Sequence, residues 1–126
     1  MISNEYHIRN ILILGIMMSK EEYIEIGKKY NLDYCIFNNS FYFSGKAKSF
    51  NEIWKITEYK GRFNGYVGYA NVYNQCIIED GDIITSTHYE KAYNKEEFEK
   101  ALQKFQKSYK KALIELKKCQ IEKDFK

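Results

Sequence analysis

Phe98, Leu102, Phe105, Tyr109, Ala112, Leu116 and Cys119 recur at spacings of four and three near the end of the chain. A period close to 3.5 puts them on one side of a single α-helix. Asn94 stands at the N-cap position, and Glu97 places an acid in the first turn. The pattern predicts a helix to about Cys119, roughly 39 Å long at 1.5 Å per residue. A helix with one apolar edge must lay that edge on another layer, so the rest of the chain has to supply one.

The middle of the sequence has strand character. Tyr34 to Phe37 and Phe41 to Phe43 flank the turn-forming Asn38-Asn39-Ser40, which predicts a short hairpin. Ile53 to Tyr59 is rich in β-branched and aromatic residues. Ser49 to Glu52 is open to a second reading as the cap of one helical turn carrying Phe50 and Trp54. Gly61 to Gly65 reads as a loop, and Tyr66 to Tyr73 as a strand with Gly68 a close-approach point. Cys76 to Glu79 and Asp82 to Thr85 are joined by Asp80-Gly81, a strong hairpin signal.

Ahead of this region, Ser19 and Glu22 form a capping box opening a helix to about Tyr30, with Asn31 as its left-handed stop. Ile11 to Met18 falls short of the ~20 residues that span a bilayer. It reads as a buried strand more readily than as a signal segment. The sequence leaves Met1, Met17 and Met18 open as translation starts. With 126 residues and no linker or repeat, the chain is expected to be one domain over residues 1–126. The expected class is α+β: an antiparallel sheet of about five to six strands, a short N-terminal helix and a long C-terminal one. This element order is similar in outline to helix-grip ligand-binding folds and to small immunity or inhibitor folds.

Several chemistries find little support in the sequence. Glu79, Asp80 and Asp82 lack the spacing of a calcium loop, and the Asp-Gly turn already explains them. His7 and His88 lie outside any metal or catalytic motif, and no nucleophile neighbours His88 in sequence. The glycines at 61, 65 and 68 do not form a P-loop, although Lys60 and Arg62 could grip an anion. Cys35, Cys76 and Cys119 are widely spaced and lie in apolar neighbourhoods, so they read as buried thiols of a reducing, cytoplasmic setting. Neither a cofactor, a metal, a membrane partner nor an enzymatic activity is expected.

Two features point to binding. Lys100, Lys104, Lys107 and Lys111 each fall two residues after a seam position, which is 200° of helical rotation. They form a ridge almost opposite the apolar edge. Residues 1–94 hold 10 basic and 11 acidic residues, so the formal charge of +3 resides on the last helix. Such a ridge suits a phosphate backbone or an acidic protein patch, and equally a solvated face. Only Arg9 and Arg62 accompany 18 lysines, which argues against base-specific readout. The abundance of Ile, Lys, Asn and Tyr reflects A/T-rich codons, as in a low-GC bacterium or its mobile genetic elements.

The second feature is aromatic: 12 Tyr, 8 Phe and Trp54. Two helices cover one sheet face well and leave the other open. Tyr59, Tyr66, Tyr69, Tyr73 and Tyr89 would then pack across the sheet or offer a recognition surface. The leading expectation is a non-enzymatic protein that occupies a surface on a host or cognate protein, in the manner of an inhibitor, immunity or anti-defence factor. One alternative is a small-molecule binder with a sheet–helix cavity lined by Trp54, Phe41, Phe43 and Tyr69. Another is a charge-driven nucleic-acid binder using the lysine ridge. Both monomer and homodimer remain open.

Overall fold

The computed structural model describes residues 17–62 and 67–124. The expected strand up to Ile16, Tyr66 and the Arg62 side chain lie outside the described residues. Among the described residues the order is α1 (Lys20–Lys29), β1 (Asp33–Cys35), β2 (Ser40–Tyr42), β3 (Lys55–Arg62), β4 (Val67–Val72), β5 (Cys76–Glu79), β6 (Asp82–Thr85), β7 (Glu90–Ala92) and α2 (Lys95–Asp124). The class is α+β. One sheet has five strands in the order β1-β2-β3-β4-β7, and β5 with β6 forms a separate two-stranded hairpin. Every strand pairing is antiparallel.

Local chemistry fixes most boundaries as the sequence predicts. Ser19 and Glu22 form the capping box of α1, and Asn31 takes φ 60° just past its end. Asp80 and Gly81 both adopt positive φ, as a tight hairpin turn requires. Asn94 Oδ1 accepts from the Glu97 N–H at 2.9 Å and so caps α2.

Three expectations need correction. β3 begins at Lys55, because Asn51 caps a 3₁₀ turn over Glu52–Trp54. Gly61 and Arg62 belong to that strand and not to a loop. α2 continues past Cys119 to Asp124.

Gly68 is the predicted point of close approach. A β-carbon there would run into the Lys60 carbonyl on β3. Its N–H instead donates to the Met18 carbonyl at 2.9 Å, and the Tyr59 hydroxyl donates to the same oxygen at 2.9 Å.

The register sorts the residues into two faces. Thr57 opposes Val72, and Tyr59 opposes Ala70, which in turn opposes Ala92. These residues are buried against the helices. Between the pairs Phe41–Thr57 and Tyr42–Lys55 the ladder skips Ile56, so Ile56 and Thr57 both turn inward. Tyr23 of α1 sits at the centre, its ring 5.1–5.2 Å from those of Phe41, Tyr59 and Phe98.

The seam of α2 seals this core. Phe98, Leu102, Phe105 and Ala112 are buried, and Tyr109 packs at the margin. Beyond Ala112 cover is lost. Leu116 is half-buried, and every residue from Lys117 to Lys123 is exposed. Cys119, expected to be buried, is therefore exposed. The hairpin β5–β6 props the middle of α2, where the Cys76 N–H donates to Ser108 Oγ at 2.8 Å.

Candidate functional site

The face of the five-stranded sheet that points away from the helices is built by the other strand parity. Glu58 opposes Asn71 and Lys60 opposes Tyr69 across β3 and β4, and Asn71 opposes Lys91 on β7. α1 and α2 both pack against the opposite face, and this one is open along β4 and β7 while Ser40 and Tyr42 of β2 are buried.

Two tyrosine pairs stand on it. Tyr69 and Tyr93 have ring centroids 5.5 Å apart, and Tyr73 and Tyr89 5.4 Å apart. Tyr89 is 50% exposed and Tyr93 41%, so the pairs project toward solvent. The Lys91 ammonium lies 5.4 Å from the Tyr69 ring centroid.

Asn71 sits between the pairs on β4, two residues from Tyr69 and two from Tyr73. Its side chain is 9% exposed, and its Oδ1 has no hydrogen-bond partner among the described residues. A buried acceptor left unpaired costs free energy.

The floor beside Tyr73 is charged. Lys55 is buried, with its Nζ 2.6 Å from Glu58 and 2.8 Å from Glu52. Burial disfavours its charge, but the two carboxylates outweigh that and hold its pKa well above the ordinary ammonium range. Lys60 also pairs with Glu58. Burial pushes the Glu58 carboxyl up, yet Lys55 and Lys60 overcome it, and the net shift is downward. The network locks the strand that faces Asn71.

The residues singled out from sequence thus fall on separate surfaces. Tyr69, Tyr73 and Tyr89 come together on the open face. Lys100, Lys104, Lys107 and Lys111 are exposed on the outer side of α2, across the sheet from the tyrosines. Lys104 reaches Glu90 of β7 at 3.4 Å. Trp54 stays apart at the end of β3, half-buried, with the Lys46 ammonium 4.3 Å above its ring.

The four residues expected to line a cavity do not converge. Phe41 is fully buried in the core, whereas Tyr69 is on the opposite face. Phe43 instead borders a surface cleft of about 270 Å³ with Leu32, Ile56, Phe105 and Tyr109. His88 is exposed, and among the described residues no carboxylate pairs with it. Among the described residues no cluster of His, Cys, Asp and Glu could hold a metal, and no helix is long and apolar enough to cross a membrane.

Sequence reasoning missed Asn71, Lys91 and Tyr93. The alternation Tyr89, Lys91, Tyr93 carried the signal for two of them. It also missed an apolar tip: Ile36 is 70% exposed and Phe37 85%, with Phe37 in ring contact with Phe50. Phe50 holds φ 54°, a left-handed conformation uncommon for an aromatic residue. Comparison with protein-family models, curated proteins and solved structures found no match.

Proposed function

We propose that this chain is a small non-enzymatic binding protein that acts by occupying the surface of a partner protein, as inhibitor, immunity and anti-defence factors do. The contact surface is the sheet face opposite α1 and α2, with Tyr73, Tyr89, Tyr93, Asn71 and Lys91 at its centre. One observation carries the reading: two tyrosine pairs stand side by side on one sheet face, with Tyr89 and Tyr93 open to solvent. Tyrosine provides large, rigid contact area at low entropic cost. Charges on this face nearly balance, with Lys55, Lys60 and Lys91 set against Glu52 and Glu58. That balance suits a protein surface better than a polyanion.

Capture from host lysate tests the reading when it is run with variants. Wild-type protein and a charge-reversed Lys104, Lys107, Lys111 variant should retain the same protein, with or without nuclease. A Tyr73→Ala, Tyr89→Ala variant that stays folded should lose it. Retention that ignores the tyrosines, or that disappears with nuclease, contradicts the proposal. The second of these outcomes would assign the lysine ridge to nucleic acid.

A further inference from the structure

We infer that the cleft between the end of α1 and the middle of α2 binds a small planar aromatic anion of the aryl carboxylate class. The inference is independent of the tyrosine face, which lies on the other side of the sheet. The cleft holds about 270 Å³. That is close to the lower end of the ~300–1,000 Å³ of small-molecule sites, and gives room for one ring system with a short acidic arm.

The apolar lining converges from separate elements. Leu32 follows α1, Phe43 follows β2, and Phe105 and Tyr109 belong to α2. Ile56 of β3 also lines the cleft and is fully buried. The Phe105 and Tyr109 rings are nearly parallel, with 11° between their planes, and Phe43 is tilted against both at 5.4–5.5 Å. Rings that already brace one another present a rigid surface, so a flat ligand stacks there at little ordering cost.

Charge selects the polar end of the ligand. Among the described residues that line the cleft Lys110 is the only charged one, and no carboxylate pairs with it. Asn31, Ser44 and Gln106 line the same cleft, and among the described residues nothing hydrogen-bonds to their side chains. Asp33, beside Leu32 in the chain, is already engaged: its Oδ2 accepts from the Gly45 and Ala47 N–H groups at 3.2 and 3.4 Å. The C-terminal dipole of α1 disfavours an anion, but Lys28 and Lys29 stand in the last turn and offset it. An aromatic wall beside one unpaired ammonium and three free hydrogen-bonding side chains suits a ring that carries a carboxylate and opposes one that carries an ammonium.

Amide chemical shifts of the full chain at low salt, followed during titration with three probes that share one ring system, test this. Indoleacetate, indoleacetamide and tryptamine are anionic, neutral and cationic at neutral pH. Indoleacetate should saturate with a Kd of about 1 mM or tighter, shifting the amides of Leu32, Ser44, Gln106 and Lys110. Indoleacetamide should bind about threefold or more weakly, and tryptamine more weakly still. Lys110→Ala, at an exposed position, should bring indoleacetate down to the level of the amide and leave the affinity for the amide unchanged. Tyr109→Ala should weaken both. The absence of a saturable shift at these four amides overturns the inference. So does an affinity order that does not follow charge, indoleacetate binding indifferent to Lys110→Ala or to Tyr109→Ala, or shifts confined to the tyrosine face or the Ile36–Phe37 tip.

Discussion

The Lys55 ammonium lies 2.6 Å from a Glu58 carboxylate oxygen on the sheet face opposite α1 and α2. The pair predicts how stability responds to acid. The folded-state pKa of Glu58 is depressed, so its contribution is present at neutral pH and is lost as pH falls through that depressed value. Lys55 is raised, so its contribution is complete below the ordinary ammonium pKa and disappears only as pH rises through the raised one. Glu58→Gln should therefore cost about 1–3 kcal/mol at neutral pH, with the deficit narrowing in acid below the carboxylate range. Urea unfolding of both proteins at neutral and acidic pH measures this.

Gly68 admits no side chain, because the Lys60 backbone occupies the space a β-carbon would need. Gly68→Ala should destabilise by about 2–3 kcal/mol through forced separation of β3 and β4. Gly27 is the helical counterpart, with the buried Phe41 ring in the way. Denaturant midpoints of the two alanine variants should both fall.

The seam has an inner and an outer part. Leu102 is fully buried, and Leu102→Ala should cost about 2–5 kcal/mol. Cys119 is exposed, and Cys119→Ala should change monomer stability by less than about 0.5 kcal/mol. Thermal melts at low protein concentration separate the two cases.

Thiol labelling reads the same geometry. Cys119 is exposed, Cys76 half-buried and Cys35 buried. Burial pushes the Cys76 thiol up to about 11, so little thiolate forms at mildly alkaline pH. Cys119 should react first with a maleimide, then Cys76, and Cys35 last, as mass spectrometry of a time course would record. Fast labelling of Cys35 ahead of Cys119 would contradict the packing.

Much of this fold was legible because its signals are local. The Ser19–Glu22 capping box, the Asp80-Gly81 turn and the Asn94 cap each depend on residues within four positions, and all three form as the sequence predicts. The face taken by each tyrosine was harder to read. The skipped residue at Ile56 breaks the alternation along β3, so counting by twos from the buried Ile56 puts Glu58 and Lys60 inward and Tyr59 on the wrong face. Tyr59 consequently enters the core, while Tyr69, Tyr73 and Tyr89 face away. Periodicity likewise marks which side of α2 is apolar but carries no information about where the underlying sheet stops. Cys119 was misread for that reason. Asn71 was invisible because its significance depends on neighbours from three strands.

Hydrogen exchange along α2 in dilute protein tests most directly that the helix closes one face of the sheet and then runs free. Slow exchange is expected from Phe98 to Ala112, where the seam is buried, and fast exchange from Lys117 onward. Uniformly fast exchange over the whole helix would mean that it does not lie on the sheet, and both the open tyrosine face and the free helix end would lose their basis.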